Sequence, residues 1–166
     1  MDNSTYLSAS EVTERKFPDG LAIPAREFHD LAGLFASFVD IAKQIDKLKK
    51  ALIYKDIPTD GRPVVKLEQQ SVEFLHAIMG MTTEVAELVE ALGPDIVVKD
   101  LTHFLEELGD VRWYEAIFLR HLGASAEQVQ AANIAKLSAR YPDKFSGFAA
   151  LNRDLDAERT ALEEHF

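Results

Sequence analysis

From Ala25 onward, apolar residues recur at spacings of three and four, and nowhere do they alternate with a period of two for long enough to make a strand. That spacing lets an α-helix present one face to a core. The chain can therefore bury its apolar half only by packing helices on helices. Residues 25–54 carry Phe28, Leu31, Leu34, Phe35, Phe38, Ile41, Ile45 and Leu48 as one stripe. "KDIPTDGRP" (55–63) then breaks the helix with two prolines and a glycine. A second helix is predicted from about Val65 to Leu92, stopped by "GPD", and a third from about Val98 to Leu122, ended by Gly123. Ser125 suits the N-cap of a fourth, with Glu127 near its start, running to about Ala139. "RYPDKFSGF" interrupts, and residues 149–166 read as a short amphipathic terminal helix. The expected fold is an all-α bundle of four or five helices, with 1–23 a polar arm and 24–166 a single helical domain.

Charge and residue usage exclude several functions. With 28 acidic against 18 basic residues the formal charge is -10, so the chain lacks the basic face that a nucleic-acid polymer requires. The same balance suits a nucleotide enzyme that recruits divalent cations to screen phosphates. There is no cysteine, which removes disulfides, thiolate zinc sites and cysteine nucleophiles. The N-terminal stretch has no apolar core of signal-peptide length, and no window is long and apolar enough for a membrane span. A cytoplasmic protein without a membrane partner is expected.

Acidic residues sit where a helix should be apolar. In "MTTEVAELVEAL", Glu84 and Glu87 lie about 60° apart around the helix, on a stripe that also holds Gly80 and His76. In "FLEELGDVRWYEAI", Glu107 and Asp110 share a face flanked by His103 and Tyr114, beside the apolar Phe104, Val111 and Phe118. Carboxylates that border a core need a counter-charge. Two pairs on successive helices can converge on a hard divalent cation, and an all-oxygen set suits Mg²⁺, with Mn²⁺ as a substitute. Such a site leaves room for water and phosphate oxygens and is suited to phosphoryl chemistry. The plain alternative is two solvated acidic faces. A di-iron site is disfavoured, because its Glu-x-x-His unit occurs once, in "EFLH" (73–76), and is needed twice.

A polar cluster follows. "NIAKLSARYPDKF" places Asn133, Lys136 and Arg140 along one helical face. Cationic donors of this kind hold phosphate oxygens that a metal leaves free, and an amide can read a base or ribose; a solvent-facing stripe is the other reading. His76 is either a core histidine or a base contact, and Trp113 either packs in a core or subunit interface or stacks on a nucleobase. The lysines of "DKLKKALIYK" read either as a phosphate-attracting arm or as a solvated face.

"MTTEVAEL", "EELGDVRWY" and "NIAKLSARYPDKF", in this order and spacing, resemble the all-α nucleoside triphosphate pyrophosphatase superfamily, whose members include MazG-like enzymes, dimeric dUTPases and phosphoribosyl-ATP pyrophosphatases. The resemblance is to the single-domain MazG-like proteins of phages and bacteria, and spans about Val65 to Leu162. It implies Mg²⁺-dependent cleavage of a (d)NTP to (d)NMP and pyrophosphate, in the host cytoplasm if the gene is a phage's. Carried over by motif, the metal ligands are Glu84, Glu87, Glu107 and Asp110. Asn133 and Lys136 contact the nucleotide, Arg140 and Tyr141 its phosphates, and His76 and His103 join the nucleotide site. A homo-oligomer, dimer or tetramer, is implied as well. Two positions depart from the pattern: Thr83 stands where many members have a glutamate, and His103 where many have a lysine. The first leaves the general base open, with Glu106 or a hydroxide on the ion as candidates. A catalytically weak regulatory relative and a phosphoribosyl-ATP pyrophosphatase are the alternative functions.

Overall fold

The computed structural model describes residues 1–55 and 60–166, so the part of the predicted break at residues 56–59 lies outside the described residues. All regular structure among the described residues is helical: α1 (Asn3–Thr13), α2 (Ala25–Leu52), α3 (Gln69–Leu92), α4 (Leu101–Leu122), α5 (Ala126–Arg140), α6 (Gly147–Leu151) and α7 (Leu155–Glu163). The all-α class holds. The count rises to seven because the N-terminal segment is itself a helix and the terminal helix is split in two. Asp2 caps α1 by accepting the Thr5 N–H at 2.9 Å. The split at the C-terminus follows from two caps, Ser146 accepting from Ala149 and Asp154 accepting from Ala157.

The chain divides into two compact units, residues 1–22 with 123–166, and residues 23–122. In the first, α5 packs against α1 and α7. The segment expected as an arm is thus α1, and the Phe145 N–H reaches the Val12 carbonyl at 3.4 Å. Ser125 opens α5 with a full capping box, in which Gln128 returns a bond to the Ser125 N–H.

In the second unit α3 lies against both α2 and α4. Contacts pair Glu73 with His121, Ala77 with Ile117, and Glu84 with Glu107 and Asp110, so α3 and α4 run antiparallel. Lys43 with Glu90, Lys49 with Thr83, and Tyr54 with His76 give the same sense for α2 and α3. The core is built on small residues: Ala42, Val39 and Ala86 between α2 and α3, and Ala77 with Tyr114 and Ile117 between α3 and α4. Alanines let the helix axes approach closely, and that approach brings acids on neighbouring helices within reach of one another.

The predicted stripe of α2 is only partly right. The buried positions are Val39, Ala42 and Lys49, whereas Leu34, Ile41 and Leu48 remain 68%, 55% and 56% exposed. Apolar residues cover more of this helix than α3 alone can bury, so periodicity could not say which flank faces inward.

Candidate active site

Because α3 and α4 are antiparallel, their acidic turns face each other. Ligand atoms of Glu84, Glu107 and Asp110 all lie within 4.8 Å of one another. Glu107 is 5% exposed. Its carboxyl is pushed up to about 7 by burial first and by the charge of Glu87 next, with His103 pulling the other way. His103 Nδ1 stands 3.2 Å from its Oε1. Glu84 keeps only 12% of its side chain exposed, while Asp110 opens to solvent. Glu87, the fourth expected ligand, lies exposed at the rim, its carboxyl raised by desolvation and then by Glu84. The structure therefore draws three of the four predicted acids into one group and leaves Glu87 at its edge.

The donor set fits a hard divalent cation. Three carboxylates this close repel, and the upward displacement at Glu107 is the cost of burying one of them without a matching positive charge. Oxygen ligands alone select Mg²⁺ or Mn²⁺ over softer ions. A second group, His103, Glu106 and Glu107, also has its ligand atoms within 4.8 Å. Glu106 is 69% exposed there, with its carboxylate 3.7 Å from His103 Nδ1. A cleft of about 320 Å³, bordered by Lys43, Asp46, Thr83, Glu87, Glu90 and His103, runs beside these acids.

Sequence reasoning missed Lys49. It lies in a run of lysines that looked solvated, yet its side chain is 6% exposed and its ammonium enters the acidic cluster from α2. It donates to the Thr83 hydroxyl at 3.0 Å and to the Tyr114 hydroxyl at 3.5 Å, and stands 3.5 Å from Asp46 and 3.7 Å from Glu84. Asp46 is a second omission, bonded also to Lys50 at 2.5 Å. No local pattern marks either residue; only the approach of α2 to α3 does.

Above the acids, His76 accepts or donates a 3.0 Å bond with the Tyr54 hydroxyl and packs edge-on to Trp113 and Tyr114. Burial, then the charge of Lys49, lowers its pKa and so favours the neutral ring. His76 is thus a hydrogen-bonded, half-buried histidine on the stripe of the acids. Trp113 is 57% exposed rather than core. Tyr114 lies directly against Gly80, where an added Cβ would fall inside the phenol ring. Glu73 pairs with His121 across α3 and α4 and stays outside both acidic groups.

The polar cluster of α5 belongs to the other unit. Asn133 and Lys136 are half-buried there. Arg140 is engaged: its Nε and Nη2 grip Glu158 at 2.8 and 2.6 Å, and Arg153 grips the same carboxylate at 3.1 and 2.6 Å. Tyr141 is buried against Phe145, with the Arg140 guanidinium over its ring.

Helical carboxylates converging in this way are a donor set that fits a divalent cation. Residues 70–145 match the model of the MazG nucleotide pyrophosphohydrolase domain. That match spans α3, α4 and α5, and so includes all three converging acids. No curated protein and no solved structure gives a significant match. Among the described residues, no helix is long and apolar enough to cross a membrane.

Proposed function

We propose that the chain hydrolyses a nucleoside triphosphate to the monophosphate and pyrophosphate, with Mg²⁺ held by Glu84, Glu107 and Asp110 and completed by Glu87. The observation that carries this reading is the buried convergence of Glu84 and Glu107 with Asp110, on residues that match a nucleotide pyrophosphohydrolase domain. A divalent ion at these carboxylates supplies Lewis-acid polarisation of phosphoryl oxygens and compensates their charge. Glu106 is the general base in this reading: exposed to water yet beside Glu107, it can take a proton from the attacking water. His103, 3.7 Å from Glu106 and 3.2 Å from Glu107, orients the Glu107 carboxylate, and His76 with exposed Trp113 offers an apolar edge to a base. Asn133 and Lys136 follow the family pattern as nucleotide contacts. Arg140 and Tyr141 enter the phosphate role only if Glu158 and the Phe145 packing release them.

Incubation with each of the eight common (d)NTPs and Mg²⁺, with pyrophosphate as the readout, tests the activity. Release from at least one is expected, and release from none refutes it. Glu106→Gln should lower kcat by roughly 10²–10³-fold without changing Mn²⁺ affinity, and unchanged turnover removes Glu106 as the base. Thr83 favours a second reading, a catalytically weak nucleotide- and metal-binding relative, because its hydroxyl is occupied by Lys49. Mn²⁺ binding without any pyrophosphate release would select it.

A homo-oligomer belongs to the same proposal. Leu31, Leu34, Phe38, Ile41, Ile45, Leu48 and Leu52 alternate spacings of three and four along α2, the seam of a coiled coil. Leu34, Ile41 and Leu48 on that seam are exposed. Ile41→Glu should convert a dimer or tetramer to monomer in light scattering; a wild-type monomer would refute assembly.

A further inference from the structure

Lys49 is the one cation buried within the acidic cluster among the described residues, and a buried ammonium persists only where its donors are used. An ammonium has three N–H donors. The Thr83 and Tyr114 hydroxyls accept from it at 3.0 and 3.5 Å, and carboxylate oxygens of Asp46 and Glu84 stand 3.5 and 3.7 Å away. The ammonium is thus engaged by the protein's own groups.

Its contacts instead organise Glu84. The Thr83 hydroxyl accepts from Lys49, has its own proton directed to the Gly80 carbonyl at 2.8 Å, and stands 3.2 Å from Glu84 Oε1. Glu84 is the carboxylate common to both sides of the site. Toward α2 it meets Lys49, and toward α4 it meets Glu107 and Asp110. A divalent ion held by both Glu84 and Asp46 would meet the Lys49 ammonium, which stands 3.7 and 3.5 Å from those two carboxylates. Like charges a few ångströms apart in a poorly solvated site exclude one another.

We infer that Lys49 is a resident cation that takes the α2 side of Glu84 and restricts the substrate-free site to a single divalent ion on the α4 side. The inference rests on the metal reading proposed above. Lys49 is a positioning residue in this scheme, acting through Glu84 and Thr83.

Mn²⁺ titration of the substrate-free full chain, by calorimetry and by electron paramagnetic resonance of the bound ion, tests it without any turnover. Wild type should take one Mn²⁺ per chain with the spectrum of an isolated ion, and Lys49→Arg, which keeps the charge, should also take one. Lys49→Met should take a second ion with spin coupling between the two, or bind its single ion at least about tenfold more tightly, because a fixed like charge has left. Two ions on wild type overturn the inference while leaving the metal reading intact. A Lys49→Met chain that takes one ion with less than about tenfold gain overturns it as well. Zero ions on wild type overturns the metal reading and this inference together. Should Lys49→Met fail to fold by circular dichroism, the counts for wild type and Lys49→Arg decide: one ion on each sustains the inference, and two on either refutes it.

Discussion

Two glutamates in this molecule are almost equally buried and have opposite electrostatic fates. Glu158, 3% exposed, is held by both Arg140 and Arg153, and their hydrogen bonds keep its carboxyl far below the usual range. Glu107, 5% exposed, faces Glu84, Asp110 and Glu87 with one histidine for company, and its carboxyl rises to about 7. Burial is the same and the neighbours differ. A carboxylate with two guanidiniums is a finished structural contact, whereas Glu107 lies among carboxylates whose one buried cation, Lys49, stands 3.7 Å from Glu84. The contrast separates a strut from a candidate site without reference to any motif.

If Glu158 is a strut, its loss should be the costliest change in this comparison. Glu158→Ala should destabilise the protein by roughly 3–5 kcal/mol, since it leaves two guanidiniums facing each other unpaired. Chemical denaturation checks this, and a loss below about 1 kcal/mol, the worth of a surface pair, would erase the contrast. If Glu107 and its neighbours form a site, Asp110→Asn should do the reverse. Pyrophosphate release should fall by roughly 10²–10³-fold, about 3–4 kcal/mol of barrier, while the apo protein melts no lower. An Asp110→Asn chain with wild-type turnover would end the metal assignment.

The acidic region is held by packing, so a steric change should reach it too. Gly80→Ala puts a methyl group into the Tyr114 ring and should cost roughly 2–3 kcal/mol of stability. Tyr114→Leu in the same background should restore part of that loss in thermal melts. The pH dependence is the finest test. Glu107 has a folded-state pKa above its ordinary 4.5, so the stability it contributes is complete below that value and disappears as pH rises through about 7. Without metal, the melting temperature should fall between pH 5 and pH 8 by an amount equivalent to roughly 2 kcal/mol. Glu107→Gln should flatten that slope. Glu158 has the opposite sign: its contribution is complete above the ordinary glutamate range and is lost only as pH falls below it.

Local chemistry was readable in the sequence, and non-local chemistry was not. Ser125 as an N-cap and Gly93 and Gly123 as helix stops are decided within a few residues, and the structure has them there, both glycines with positive φ. The acids Glu84, Glu107 and Asp110 were found because helical geometry places each relative to its own apolar stripe. The N-terminal helix escaped notice because α1 buries no residue and has no stripe to detect. Lys49 and Glu158 escaped for another reason. Each resembles its solvated neighbours in sequence, and besides a nearby partner each has a distant one, Thr83 for Lys49 and Arg140 for Glu158, 34 and 18 residues away. The face of α2 was misjudged because it has more apolar positions than one neighbouring helix can cover.

The contact between Gly80 and Tyr114 also limits how such a sequence can change over time. With the phenol ring over it, position 80 has no room for any side chain, and the ring keeps its place beside Lys49 only while that room stays empty. The two positions are consequently not independent. Alanine at 80 therefore costs less once residue 114 is smaller, so the cost of each substitution depends on which comes first.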